Sequence, residues 1–254
     1  MVSPLASRST SKFIASLAHL ACTILAFGVP IAGAQSACSS DGVPAPRLLQ
    51  ERFISADCEA CWGELPLNAA RPHSVALDWL VPSAQGDEAP LSAVATRDAQ
   101  VRLETLGNPP LTSETGLQRD VHSLTKAGTL RVAMGPAVGG YVGASIAWKP
   151  SFKTVSQLGT WTAWLALVET VPAGTDGTPV ERNLVRNMLT SAWDGRKQLS
   201  KKEQVTFLES RLMSVPAGAQ PERLRVVGWV QRVGASGQPQ LASVAQSRCI
   251  PSQP

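Results

Sequence analysis

The chain has 254 residues and a formal net charge of +4. Setting aside the first 34 residues, which carry Arg8 and Lys12 but no acidic residue, leaves about +2. That balance is too weak to imply a nucleic acid or an anionic membrane surface as partner, and no basic cluster with interleaved aromatic residues occurs.

Residues 1–34 read as a secretory signal peptide. A basic start, "MVSPLASRSTSKF", is followed by the apolar run "FIASLAHLACTILAF". Ala32 and Ala34 then stand at the small-residue positions of a cleavage site. The apolar run is about 15 residues, shorter than the ~20 a spanning helix needs. Cleavage after Ala34 is expected to deliver a periplasmic or secreted protein. No later apolar run reaches spanning length, so no membrane insertion is expected after cleavage.

Residues 35–46, "QSACSSDGVPAP", form a polar, Gly/Pro-rich lead-in. "RLLQERFIS" (47–55) reads as a buried strand entering the pair Cys58 and Cys61, after which a helix begins that Pro66 keeps short. "SVALDWLV" (74–81) is a second strand. Residues 90–107 carry the clearest helical pattern. Leu91, Ala95, Ala99, Leu103 and Leu106 share a face, Asp98 and Arg102 form an i,i+4 pair, and Gly107 suits the C-terminal cap. "LQRDVHSLTKAG" (117–128) reads as a shorter helix.

Beyond residue 128 the runs are mostly of strand composition. They are "TLRVAMG", "GYVGASIAWK", "TWTAWLALVETV", "RLRVVGWVQRV" and "QLASVAQSRC", with "VGASGQPQ" as a hairpin connection between the last two. In "WLALVE" leucines alternate with Trp164, Ala166 and Val168, the pattern of a strand covered on both faces. Only "RNLVRNMLTSAW" (182–193) and "SKKEQVTFLESR" (200–211) look helical here. The expected class is therefore α/β, or α+β over the whole chain. An α/β region at 47–128 holds the C-x-x-C, and a β-rich region at 129–254 packs on it.

Cys22 lies in the signal, so the mature chain keeps four cysteines, an even number suited to an oxidising compartment. A local Cys58–Cys61 pair leaves Cys38 and Cys249 to form a structural disulfide between the two chain ends, which often lie close together. Its loop of about 210 residues is worth about 4 to 5 kcal/mol on a chain-entropy model.

A strand leading into C-x-x-C, then helix, strand and helix, resembles the start of a thioredoxin-like fold. "RFISADCEACWGEL" and "GTDGTPVERNLVRNMLTSAWDG" together resemble the bacterial secreted proteins of the domain-of-unknown-function 1223 family, over about Leu48 to Val244. The second stretch matches at Asn183, Val185, Arg186 and Trp193-Asp194-Gly195. Trp62 and Gly63 replace the family's prolines after the second cysteine. The resemblance implies a thioredoxin-like N-terminal half, with Pro109 or Pro110 as candidate cis-proline opposite the cysteines.

Three readings of Cys58 and Cys61 stay open. As an exchange centre, Cys58 at an exposed helix start attacks a target disulfide, Cys61 resolves the product, and the partner is a protein thiol or disulfide. As a permanent disulfide, the pair braces a non-catalytic binding or structural protein. A zinc site is the weakest, because only His73 and His122 remain after cleavage and neither has ligand spacing to a cysteine. No cofactor is expected. "GPAVGGYVG" lacks the ending and context of a phosphate loop. Trp148, Trp161, Trp164 and Trp229 read as core before ligand groove, and Arg186 and Asp194 as structural.

Overall fold

The computed structural model describes residues 37–64, 71–111, 116–124, 127–151, 154, 160–194, 206–234 and 239–249. The expected signal peptide with its cleavage site and the expected hairpin connection at 235–238 lie outside the described residues. In chain order the elements are β1 (Cys38–Ser39), β2 (Leu48–Ser55), α1 (Glu59–Gly63), β3 (Ser74–Val81), α2 (Arg97–Thr105), β4 (Gly116–His122), β5 (Gly128–Val138) and β6 (Tyr141–Pro150). They continue with β7 (Thr160–Val171), β8 (Arg182–Asp194), β9 (Phe207–Ser214), β10 (Leu224–Val233), β11 (Pro239–Gln246) and β12 (Arg248–Cys249).

These strands build two sheets. One has seven strands in the order β11-β10-β7-β8-β3-β2-β4, the other five in the order β12-β1-β5-β6-β9. The larger sheet draws strands from both sides of residue 128. It is antiparallel except at β2–β3, paired in parallel from Leu48↔Ser74 to Ser55↔Val81, and at the single bridge Asp78↔Leu184 between β3 and β8.

The expected α/β class with a thioredoxin-like N-terminal half is therefore overturned. The protein is mostly β, with two sheets and, among the described residues, only two α-helices of five and nine residues. Three stretches account for the difference. Residues 117–122 pair with β2 as β4 from Leu48↔His122 to Ile54↔Gly116. Leu117 and Val121 stand four apart, a spacing that one helix face and one strand face share, and both pack on the core on the α2 side.

Residues 182–193 are strand β8, and a β-bulge produced their helical look. Leu167 pairs with Asn187 and Val168 with Val185, so Arg186 is the extra residue. That insertion puts Val185 and Met188, three apart, on one face. Of the expected helix at 200–211, residues 207–211 belong to β9, and 200–205 lie outside the described residues. The expected helix at 90–107 shortens to Arg97–Thr105, because Thr96 is extended and caps it by accepting from the Ala99 N–H at 3.1 Å.

The larger sheet is covered on both faces. Leu165, Leu167, Val226 and Val230 meet Val132, Ile146 and Trp148 of the smaller sheet. On the other face Trp164, Ala166, Trp229, Phe53 and Trp79 pack with Ala99 and Leu103 of α2. The alternation in β7 expresses this division. Gly228 lies where the sheets pack tightly, since a Cβ there would lie 2.5 Å from Val132 Cγ1 and 2.9 Å from Ile146 Cδ1. Gly139 and Gly140, both at positive φ, make the two-residue turn between β5 and β6. The lead-in is not free: β1 lies between β12 and β5, with Cys38 opposite Cys249 and bonded to it.

The sheet contact at Gly228 is directly testable. Gly228→Ala is expected to destabilise the protein by about 1 to 3 kcal/mol through overpacking, although alanine suits a strand better than glycine. Equilibrium urea unfolding reads it, and an unchanged midpoint would contradict the stated sheet contact.

Candidate functional site

Strand β2 ends at Ser55 and runs through a turn into Cys58, the N-cap of α1. Cys58 Sγ accepts from the Cys61 N–H at 3.2 Å, and the two cysteines are bonded with Cα atoms 5.2 Å apart. The two pairs do not come together. Cys58–Cys61 lies beside β2 and β3, whereas Cys38–Cys249 joins two strands of the smaller sheet.

The exposure of the two sulfur-bearing residues is the reverse of that expected. Cys58 is 7% exposed and packs with Ile54, Trp62, Leu80, Val171 and Leu184, whereas Cys61 is only partly buried at the border of that cluster. The cause is that β2 delivers Cys58 directly into the layer over the sheet. Helix α1 is too short to lift its first residue clear, and one turn of backbone gives little N-terminal field to favour a thiolate. Asp57 is engaged through its Oδ1, which accepts from the Ser83 hydroxyl at 2.6 Å.

Trp62 closes the site from the inside. It is 4% exposed, and its Nε1 donates to the Asp176 carbonyl at 2.7 Å. The Arg182 guanidinium lies 4.9 Å over its ring, a cation–π contact. Gly177, at φ +75°, lets the loop before β8 pass the indole. The positive φ is what calls for glycine, since a Cβ there would sit at ordinary contact distance, 3.7 Å, from Trp62 Cδ1.

Beneath α1 lies a charge cluster that the sequence reading did not single out. Asp78 is fully buried in β3, with Arg52 beside it on β2 and Asn183 on β8. Its Oδ2 accepts from Arg52 Nη2 at 2.7 Å and from the Asn183 N–H at 2.9 Å. Its Oδ1 accepts from Arg182 Nη1 at 3.2 Å. Arg182 Nη2 then donates to the carbonyls of Trp62 and Glu64, each at 2.7 Å. A helix end leaves such carbonyls without partners of its own, and here one guanidinium satisfies them. Burial pushes the Arg182 pKa down from its usual value, and Asp78 opposes that shift. One signal was available: Asp78 is the lone charge in the otherwise apolar run "SVALDWLV", and a carboxylate in a buried strand requires a partner.

The other candidates scatter. His73 sits at φ +59° in the turn before β3, His122 ends β4, and no cluster of three metal-ligating side chains occurs among the described residues. Trp148 and Trp161 belong to the core between the sheets, Trp164 and Trp229 to the α2 side. Arg186 pairs with Glu169 and donates to the Ala217 carbonyl, while Asp194 ends β8 opposite Thr160. Pro109 and Pro110 follow α2, and their neighbour Leu111 packs on the α2 side of the sheet, away from the cluster that holds Cys58. No described peptide bond is cis.

No family model and no curated protein matches the chain. Among solved structures it is similar to HBP35 of Porphyromonas gingivalis at 10% identity, over 80% of this chain and 74% of that one, with a TM-score of 0.49.

The charge cluster sets a stability test. Asp78→Asn leaves two guanidinium groups in a buried site without their counter-charge, and is expected to cost about 3 to 5 kcal/mol. Chemical denaturation of the oxidised protein measures it. A loss below about 1 kcal/mol, the range of an exposed pair, would show that the cluster does not hold the site.

Proposed function

We propose that this chain is an extracytoplasmic, non-catalytic protein that works through its β-sheet surfaces as a binding or structural protein, with Cys58–Cys61 as a permanent disulfide. The observation that carries this reading is the burial of Cys58 under Trp62 and Leu80. Exchange requires a thiolate to approach a disulfide sulfur in line with the bond that breaks. The sulfur expected to act first is the enclosed one, and Arg182 ties down the backbone that follows it. The layout of residues 1–34 and two disulfides, a bond type that persists in oxidising compartments, support the extracytoplasmic location.

One observation favours a second reading, exchange that enters at Cys61. Cys61 is partly exposed, and its N–H already donates to Cys58 Sγ. A thiolate of a partner protein would attack Cys61 Sγ and form a mixed disulfide. The Cys58–Cys61 bond would break, and Cys58 would leave as a thiolate held by that N–H.

The redox equilibrium separates the two. In a Cys38→Ser/Cys249→Ser background, the oxidised fraction of Cys58–Cys61 is followed in graded thiol buffers by alkylation and intact mass. A potential below about −300 mV with no insulin reduction is expected. A potential between about −270 and −120 mV with catalytic turnover would establish the exchange reading instead.

A further inference from the structure

Strand β9 ends the smaller sheet: among the described residues it pairs with β6 alone. Its outer face is open and carries two exposed leucines. Leu208 is 65% and Leu212 75% exposed, and they flank Ser210 opposite Ala147, Ser145 and Gly143 of β6. Tyr141 and Val138 extend the same patch around the β5–β6 turn. The inner face of β9 carries Phe207 and Met213 in the core, with the ion pair Glu209–Arg211 between them. A long apolar edge is a template for another strand, and inward-pointing charges restrict which strand can pair with it.

The segment "LESRL" is complementary to itself. In an antiparallel pairing with a second copy, a two-fold axis through Ser210 sets Leu208 against the partner's Leu212. It also sets Glu209 against the partner's Arg211, and both contacts occur twice. A two-fold normal to the sheet keeps like faces together, so a registry can shift only in steps of two. One step one way puts Glu209 against its own copy; one step the other way puts Arg211 against its own copy. Both oppose like charges across the strands, which is destabilising.

We propose that β9 is an isologous dimer interface in which two copies of this chain join their five-stranded sheets edge to edge about Ser210. Arg211 exchanges its own Glu209 for that of the partner, at little cost because the internal pair is largely exposed on the arginine side. Glu209 keeps its second bond, accepted from the Ser191 hydroxyl at 3.1 Å, so its carboxylate is aimed before the partner arrives. Asn187 occupies the Ser214 carbonyl at the end of the strand, outside the stretch Leu208–Leu212 that the pairing uses. The interface stands on the edge geometry and the charge order, independently of the redox state of Cys58–Cys61.

Sedimentation equilibrium on the mature chain tests it. The wild type is expected to associate to twice the monomer mass. Arg211→Glu sets Glu against Glu twice, and should raise the dimer Kd about tenfold or more. The swap Glu209→Arg/Arg211→Glu should restore wild-type association. Leu212→Ser should weaken the dimer without changing the melting of the monomer, which separates interface loss from misfolding. A wild type that stays monomeric up to its solubility limit overturns the proposal. So does a dimer indifferent to Arg211→Glu, or a swap variant that melts normally and remains a monomer.

Discussion

Asp78 is a carboxylate in the middle of a seven-stranded sheet, and its burial dictates much of what surrounds it. A charge at that depth is tolerable only with counter-charge and hydrogen bonds. Asp78 takes one guanidinium from β2, one from β8 and a backbone N–H from β8. β3 and β8 share a single bridge at that level, Asp78↔Leu184, so side-chain bonds from Asp78 and Asn183 reinforce a junction between strands about a hundred residues apart. Arg182 adds a second function by donating to the last carbonyls of α1, which fixes the cysteine segment against the same junction. A second buried pair, Arg102 with Glu51, ties α2 to β2 on the opposite face, with the guanidinium 4.4 Å from the Trp164 ring.

The strands were legible where one period ruled. β7 reads as covered on both faces because its leucines and its Trp164, Ala166 and Val168 alternate, and the structure sorts them into separate cores. Legibility failed where a local device altered the period. The extra residue Arg186 shifts β8 by one position and leaves an i,i+3 apolar pair that a helix would also show. β4 failed differently: only Leu117 and Val121 mark its buried face, and residues four apart fit either period. Read as helices, those two segments add helical content that the structure does not have. With them paired into the larger sheet, the chain is a mostly β protein with two short α-helices among the described residues.

The cysteine site was legible in place but not in orientation. The turn from β2 into a helix at Cys58 follows from the strand run and the C-x-x-C spacing. Which sulfur faces outward depends on how deep β2 ends and on Trp62 folding inward to Asp176, a residue 114 positions away. Local sequence carries no signal for a contact of that range. Arg182 went unremarked for the same reason, since its partners Asp78, Trp62 and Glu64 lie more than a hundred residues upstream.

On these contacts the Asp78–Arg182 cluster, rather than the local disulfide, holds α1 on the sheet. Backbone hydrogen exchange across residues 58–64 tests it most directly, comparing the wild type with Cys58→Ser/Cys61→Ser and with Arg182→Gln. The Trp62 N–H, bonded to the Cys58 carbonyl, reports the closed segment. Protection that survives loss of both cysteines but falls to the open-chain rate in Arg182→Gln is the result predicted. Protection that vanishes with the cysteines and persists without Arg182 would contradict it.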